Sequence, residues 1–142
     1  MGVVYFNNDV AFKWLNHISM FEITEPLGVF WVDKNAIVLA DFTIPIGYRS
    51  NGPSIPKRLR SFIPFEGHWL RPSFSHDWLY DHHEGLDREQ SDEFYFDAMV
   101  ADGVIWHRRH LIYRSVRLGG EEHWAGNDKE KEQEDDEEDF DD

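Results

Sequence analysis

Cysteine is absent from the 142 residues. That excludes a disulfide scaffold, a thiol nucleophile and thiolate-zinc sites, and it fits a reducing compartment. Long apolar runs are also missing: none approaches the roughly 18 residues of a membrane span. The first stretch, with Asn7, Asn8 and Asp9 soon after Met1, has neither the basic start nor the apolar core of a signal peptide. The expectation is a soluble chain with no signal peptide and no transmembrane segment. Cations are scarce, 14 Lys and Arg against 28 Asp and Glu, for a formal net charge of −14. Phosphate contacts need clustered Lys and Arg, and the one basic cluster, Lys57, Arg58 and Arg60, is too short to supply them. Nucleic-acid binding is therefore not expected. No GxSxG turn, P-loop or GxGxxG motif occurs, so α/β-hydrolase and nucleotide-binding readings have no foothold.

What is present is enough apolar material for one core: 41% hydrophobic and 15% aromatic residues. The acidic excess is concentrated, because residues 128–142 hold eleven acids and two lysines. Such a tail buries too little apolar area to offset its ordering entropy, and its charges repel. The expected organisation is one domain over residues 1–127 and a disordered acidic tail over 128–142. The tail reads either as a solubilising spacer or as an arm that docks on a basic protein.

From about Val3 to Tyr48 β-branched and aromatic residues alternate with polar ones, in Phe21–Thr24, Gly28–Val32 and Ala36–Ala40, with Asp33-Lys34-Asn35 as a hairpin loop. This half predicts a small N-terminal antiparallel sheet. Residues 41–56, broken by Pro45, Gly47, Gly52, Pro53 and Pro56, read as a last strand leading into a shaped loop. From Arg71 the period becomes helical. Pro72 suits the first position of a helix that runs toward His83 and stops at Gly85. Asp87 and Gln90 form a capping box for a second helix ending at Gly103. A third spans about Val104 to Leu118, with Arg114 and Arg117 near its C-terminus, where the helix dipole favours cations. The fold class expected is α+β: the sheet packed on a C-terminal layer of about three helices.

The residues that carry chemistry are His76, Asp77, Tyr80 and Asp92. His76 and Tyr80 are four apart and share a helix face. Asp92 falls at helical spacing between Tyr95 and Phe96, on the side that packs inward. A carboxylate there needs a partner, because burying an ionised carboxylate alone costs several kcal/mol. The short link Glu84–Asp87 makes the two helices antiparallel neighbours and brings His76 within reach. A His held by an Asp has a fixed tautomer and raised basicity, as a general base requires. The same pairing also serves simply to satisfy two buried polar groups. The loop Tyr48–Pro56 offers oxygens from Ser50, Asn51 and Ser54 that, with Asp77, suit a hard cation such as Ca²⁺. Alternatively it is a rigid crossover in which Ser54 caps a short helix. With six Trp, eleven Phe and five Tyr, an exposed aromatic docking face is a further candidate, and Trp69, Trp78 and Trp124 are its residues.

Two resemblances meet at these positions. Ile44-Pro45-Ile46-Gly47-Tyr48, Gly52-Pro53-Ser54-Ile55-Pro56, His76-Asp77-Trp78-Leu79-Tyr80, Asp92 and Tyr113–Gly120 together resemble the phage-encoded family catalogued as domain of unknown function 1353, over roughly residues 20–120. Where that family usually carries an Asp before the loop glycine, this chain has Asn51. The HDxxY helix followed by Asp92 is similar to the paired helices of phospholipase A2. That similarity implies His76 as base on a water, Asp77 as calcium ligand, and Asp92 with Tyr80 as the network that orients the base. The glycine-rich calcium loop and the disulfides of that enzyme are not found here. The resemblances imply a phage accessory protein in host cytoplasm or virion, hydrolysing an ester or amide of the cell envelope. The competing expectation is a non-enzymatic virion or host-interaction (anti-defence) protein that binds virion proteins, or a basic host protein through the tail.

Overall fold

The computed structural model describes residues 2–50 and 70–124, and they form an α+β fold. The elements in order are β1 (Gly2–Phe6), β2 (Phe12–Leu15), β3 (Met20–Ile23), β4 (Leu27–Asp33), β5 (Val38–Ile44), β6 (Arg49–Ser50), α1 (Leu70–His82), α2 (Arg88–Ala101) and α3 (Trp106–Gly119). Where the residue pattern suggests one sheet, the strands divide into two antiparallel three-stranded sheets, β1-β4-β5 and β2-β3-β6. The division has a simple cause. β2 and β3 pair with each other, Phe12 opposite Ile23, while β1 reaches past both to pair with β4, Val4 opposite Trp31.

Alternation along β4 sends Leu27, Val29 and Trp31 inward, and β5 answers with Ala40, Phe42 and Ile44. The β4–β5 hairpin is wider than the expected three-residue loop. Asp33 Oδ1 accepts the amides of Asn35 (2.8 Å) and Ile37 (3.0 Å), and Ala36 takes a left-handed φ of 62°, so β5 begins at Val38.

The helices follow local signals closely. Asp87 accepts the Gln90 amide at 2.7 Å and the Gln90 side chain accepts the Asp87 amide at 3.0 Å, the reciprocal capping box at the start of α2. Gly103, at φ 77°, lets the chain turn out of that helix. The core lies between the sheets and the α1–α2 pair. Phe94 of α2 is fully buried and meets Trp31 at 5.6 Å and Phe42 at 5.9 Å. Burial of such a ring contributes about 2–3 kcal/mol. Tyr95, Met99, Val104, Ile112 and Val116 form a second cluster that seats α3 on α2.

Polar clamps join the layers. Asp97 Oδ2 of α2 accepts the Gly2 amide (2.8 Å) and the Trp31 indole (2.9 Å). Arg71 donates to both oxygens of Asp102 (2.5 and 3.0 Å) and to the Asn8 carbonyl (3.0 Å), and lies over the Phe6 ring at 4.7 Å. No helix among the described residues is long and apolar enough to cross a membrane.

Candidate functional site

The link between α1 and α2 places the site. His83, Glu84 and Gly85 all adopt positive φ (63°, 50° and 76°), reversing the chain so that the start of α2 returns along α1. Asp92 of α2 then faces His76 and Tyr80, one helical turn apart on α1. His76 Nε2 and the Tyr80 hydroxyl both donate to Asp92 Oδ1, each at 2.7 Å. The other oxygen, Oδ2, accepts from Arg117 Nη1 of α3 at 2.8 Å. One carboxylate on α2 thus collects donors from both neighbouring helices, and it is 0% exposed. Arg88 keeps this meeting in register by donating to the carbonyls of Val116 (2.9 Å) and Arg117 (2.7 Å), which ties the start of α2 to the end of α3.

The imidazole of His76 is 3% exposed. Tyr95 stacks on it at 4.2 Å and 19°, Tyr80 lies against it at 4.4 Å, and the Tyr95 and Ser73 hydroxyls are 3.1 Å apart. Past α3 the chain returns over Tyr80: Trp124 meets that ring edge-on at 5.1 Å and stacks on His83 at 3.7 Å. Gly120 makes this possible, because a Cβ there would stand 2.5 Å from the Tyr80 hydroxyl and 2.6 Å from the Val116 carbonyl.

The electrostatics divide the roles. Burial alone raises the Asp92 pKa, yet the hydrogen bonds from His76, Tyr80 and Arg117 outweigh it and hold the carboxyl below its ordinary value. Burial pushes His76 down, against the pull of Asp92. The pair is therefore ionised Asp92 with neutral His76. An ionised carboxylate has no proton to give, so Nε2 carries the imidazole hydrogen and Nδ1 keeps the lone pair.

Asp77 faces away from this pair. Its Oδ2 accepts the Ser50 hydroxyl of β6. Burial and the nearby Asp81 push its carboxyl up to about 7, the Ser50 bond opposing. The Tyr48 hydroxyl donates to Asp81 at 2.6 Å. Trp78 is half-buried: it meets Tyr48 edge-on at 5.1 Å, stacks on His82 at 3.6 Å, and its indole donates to Glu84 at 2.9 Å.

His76, Tyr80 and Asp92 are thus brought together, with Asp77 beside them on a separate network. Asn51, Ser54 and Trp69 lie outside the described residues, as does the acidic tail. No group of three or more His, Asp or Glu side chains able to hold a metal ion occurs among the described residues. A calcium ion takes six to eight oxygens, and among the described residues Asp77 with Ser50 does not make such a set.

In the sequence Arg117 stands out as a cation suited to a helix C-terminus and as part of the Tyr113–Gly120 motif, and its pairing with Asp92 follows from α3 lying beside α2. Tyr95 was legible as an inward residue, but not as the ring stacked on His76. The sequence places Ser50 with Asp77 only as oxygens for a cation, whereas here the Ser50 hydroxyl donates directly to that carboxylate.

Comparison with known proteins adds a family and no activity. An uncharacterised protein of Sinorhizobium fredii (strain NBRC 101917 / NGR234), y4jT, is 30% identical over 104 residues. The match covers 72% of this chain and 27% of that protein, so the chain spans about a quarter of its relative's length. No solved structure matches. The model of the family described as "Protein of unknown function (DUF1353)" matches residues 23–116, from the end of β3 to the last turn of α3, and the chain belongs to that family.

Proposed function

We propose that this protein is a phage-encoded accessory hydrolase in which His76 acts as general base on a water that attacks an ester or amide of the cell envelope. The observation that carries the reading is the bond of His76 Nε2 to an ionised, fully buried Asp92. It fixes the tautomer that leaves Nδ1 basic, and the lowered His76 pKa keeps that nitrogen unprotonated near neutral pH. Tyr80 and Arg117 are positioning residues that hold Asp92.

His76→Gln tests the proposal without emptying the site, since the Gln amide can still donate to Asp92. Purified full-length protein is assayed on peptidoglycan sacculi and on phospholipid vesicles. The expected result is product release by the wild type and a loss of about 100-fold or more in His76→Gln at unchanged melting temperature. Absence of product from both substrates, or equal rates in the two proteins, overturns it.

A second reading, a non-enzymatic virion or host-interaction protein, draws support from the outer face of the β1-β4-β5 sheet. There Val3, Tyr5, Phe30 and Val38 are exposed, with Tyr5 and Phe30 rings 6.5 Å apart. Co-purification with assembled particles, lost on Tyr5→Lys with Phe30→Lys, would favour it.

A further inference from the structure

Apart from the His76 site, a cavity of about 350 Å³ opens between the first sheet, α2 and α3. Its walls combine two kinds of side chain. Trp31, Phe96 and Tyr113 supply aromatic surface, Phe96 and Tyr113 meeting edge-on at 5.8 Å. Asp33, Glu93 and Asp97 supply three carboxylates, and among the described residues no Lys or Arg lines the space. None of the three is ion-paired within the described residues. The nearby guanidinium of Arg109 sits 5.6 Å over Phe96 and donates to the Val104 carbonyl.

Asp97 is the decisive residue. It is only 4% exposed, and both donors it receives, the Gly2 amide and the Trp31 indole, go to Oδ2. Among the described residues nothing donates to Oδ1. Oδ1 is not enclosed by protein, so a donor in the cavity that Asp97 lines can reach it, and that cavity is of the size that takes a small ligand. We infer that this cavity binds a small organic cation, an ammonium on an aromatic body. The ammonium would donate to Asp97 Oδ1 and Glu93, and the ring would pack among Trp31, Phe96 and Tyr113, whose π faces also favour the positive charge. His110, which lies 4.9 Å from Phe96 and lines the same space, would repel such a ligand when protonated. The inference is independent of any hydrolytic role for His76.

The test is calorimetric titration of the full chain at about pH 8 with phenethylamine and with its neutral isostere 2-phenylethanol. The amine is expected to bind with a Kd of about 1 mM or tighter, and the alcohol about tenfold more weakly, the scale of one charge-assisted hydrogen bond. Asp97→Asn keeps an oxygen for Gly2 and Trp31 but removes the charge, and should bring the amine-to-alcohol ratio down to about threefold, the share left to Glu93. Glu93→Gln, at an exposed position, should weaken the amine about threefold without touching the fold. Equal affinity of amine and alcohol for the wild type overturns the inference. So does failure of the amine, tyramine and tryptamine all to bind at about 10 mM.

Discussion

Among the described residues Arg117 supplies the only full positive charge paired with Asp92, since His76 beside it is neutral. Removing one partner of a buried ion pair leaves the other uncompensated, so Arg117→Met should cost about 2–3 kcal/mol in urea unfolding. The same substitution should raise the His76 pKa, because an unbalanced carboxylate favours the imidazolium, and an NMR titration of the imidazole reads that shift. Asp77 behaves in the opposite way. Its carboxyl is raised from 3.8 to about 7, so between those values the folded protein binds more protons than the unfolded chain and stability falls as pH rises. Asp77→Asn removes that dependence. Its stability relative to wild type should improve from about pH 4 to pH 8, by about 1–2 kcal/mol once partial exposure is allowed for. Equal differences at both pH values would mean that the carboxyl titrates normally. His76 and Asp92 give the reverse slope: their folded pKa values are lowered, so their contribution is present above the unfolded values and is lost as pH falls.

Local elements were legible to the degree that their signals are local. Asp87 and Gln90 specify the start of α2 within four residues, and His76, Tyr80 and an Asp on an apolar face announce a polar meeting point from helical spacing alone. Strand partnership is not local, which is why one sheet was read where two exist: β6 is two residues long and recognisable only through its pairing with β3. The bond from Arg117 to Asp92 spans 25 residues and needs α3 in place before it can be seen. The junction after α3 carries a prediction of this kind. Gly120 has φ −86°, which any residue accepts, so its requirement is purely for space beside Tyr80. Gly120→Ala should push the Tyr80 hydroxyl off Asp92 or shift residues 120–124 outward, lowering stability by about 1–3 kcal/mol. A crystal structure of the variant, or loss of Trp124 stacking seen by near-UV circular dichroism, checks it.

Across the whole molecule, a chain without cysteine relies on polar clamps to hold sheets to helices. Arg71 is the broadest of them, reaching the segment between β1 and β2 through Asn8 while gripping Asp102 at the end of α2. Arg71→Met keeps much of the apolar stem yet strands Asp102, whose side chain is 5% exposed, and should cost about 3 kcal/mol. The loss should come with an unchanged denaturant slope, since the surface exposed on unfolding stays the same. The three-donor arrangement at Asp92 has a consequence for motion. Were α1 or α3 to peel away alone, it would strip a hydrogen bond from an acid that the fold keeps fully buried. Independent fraying of the inner turns is thereby suppressed, and amide protons at the midpoints of all three helices should exchange with deuterium through a single shared opening.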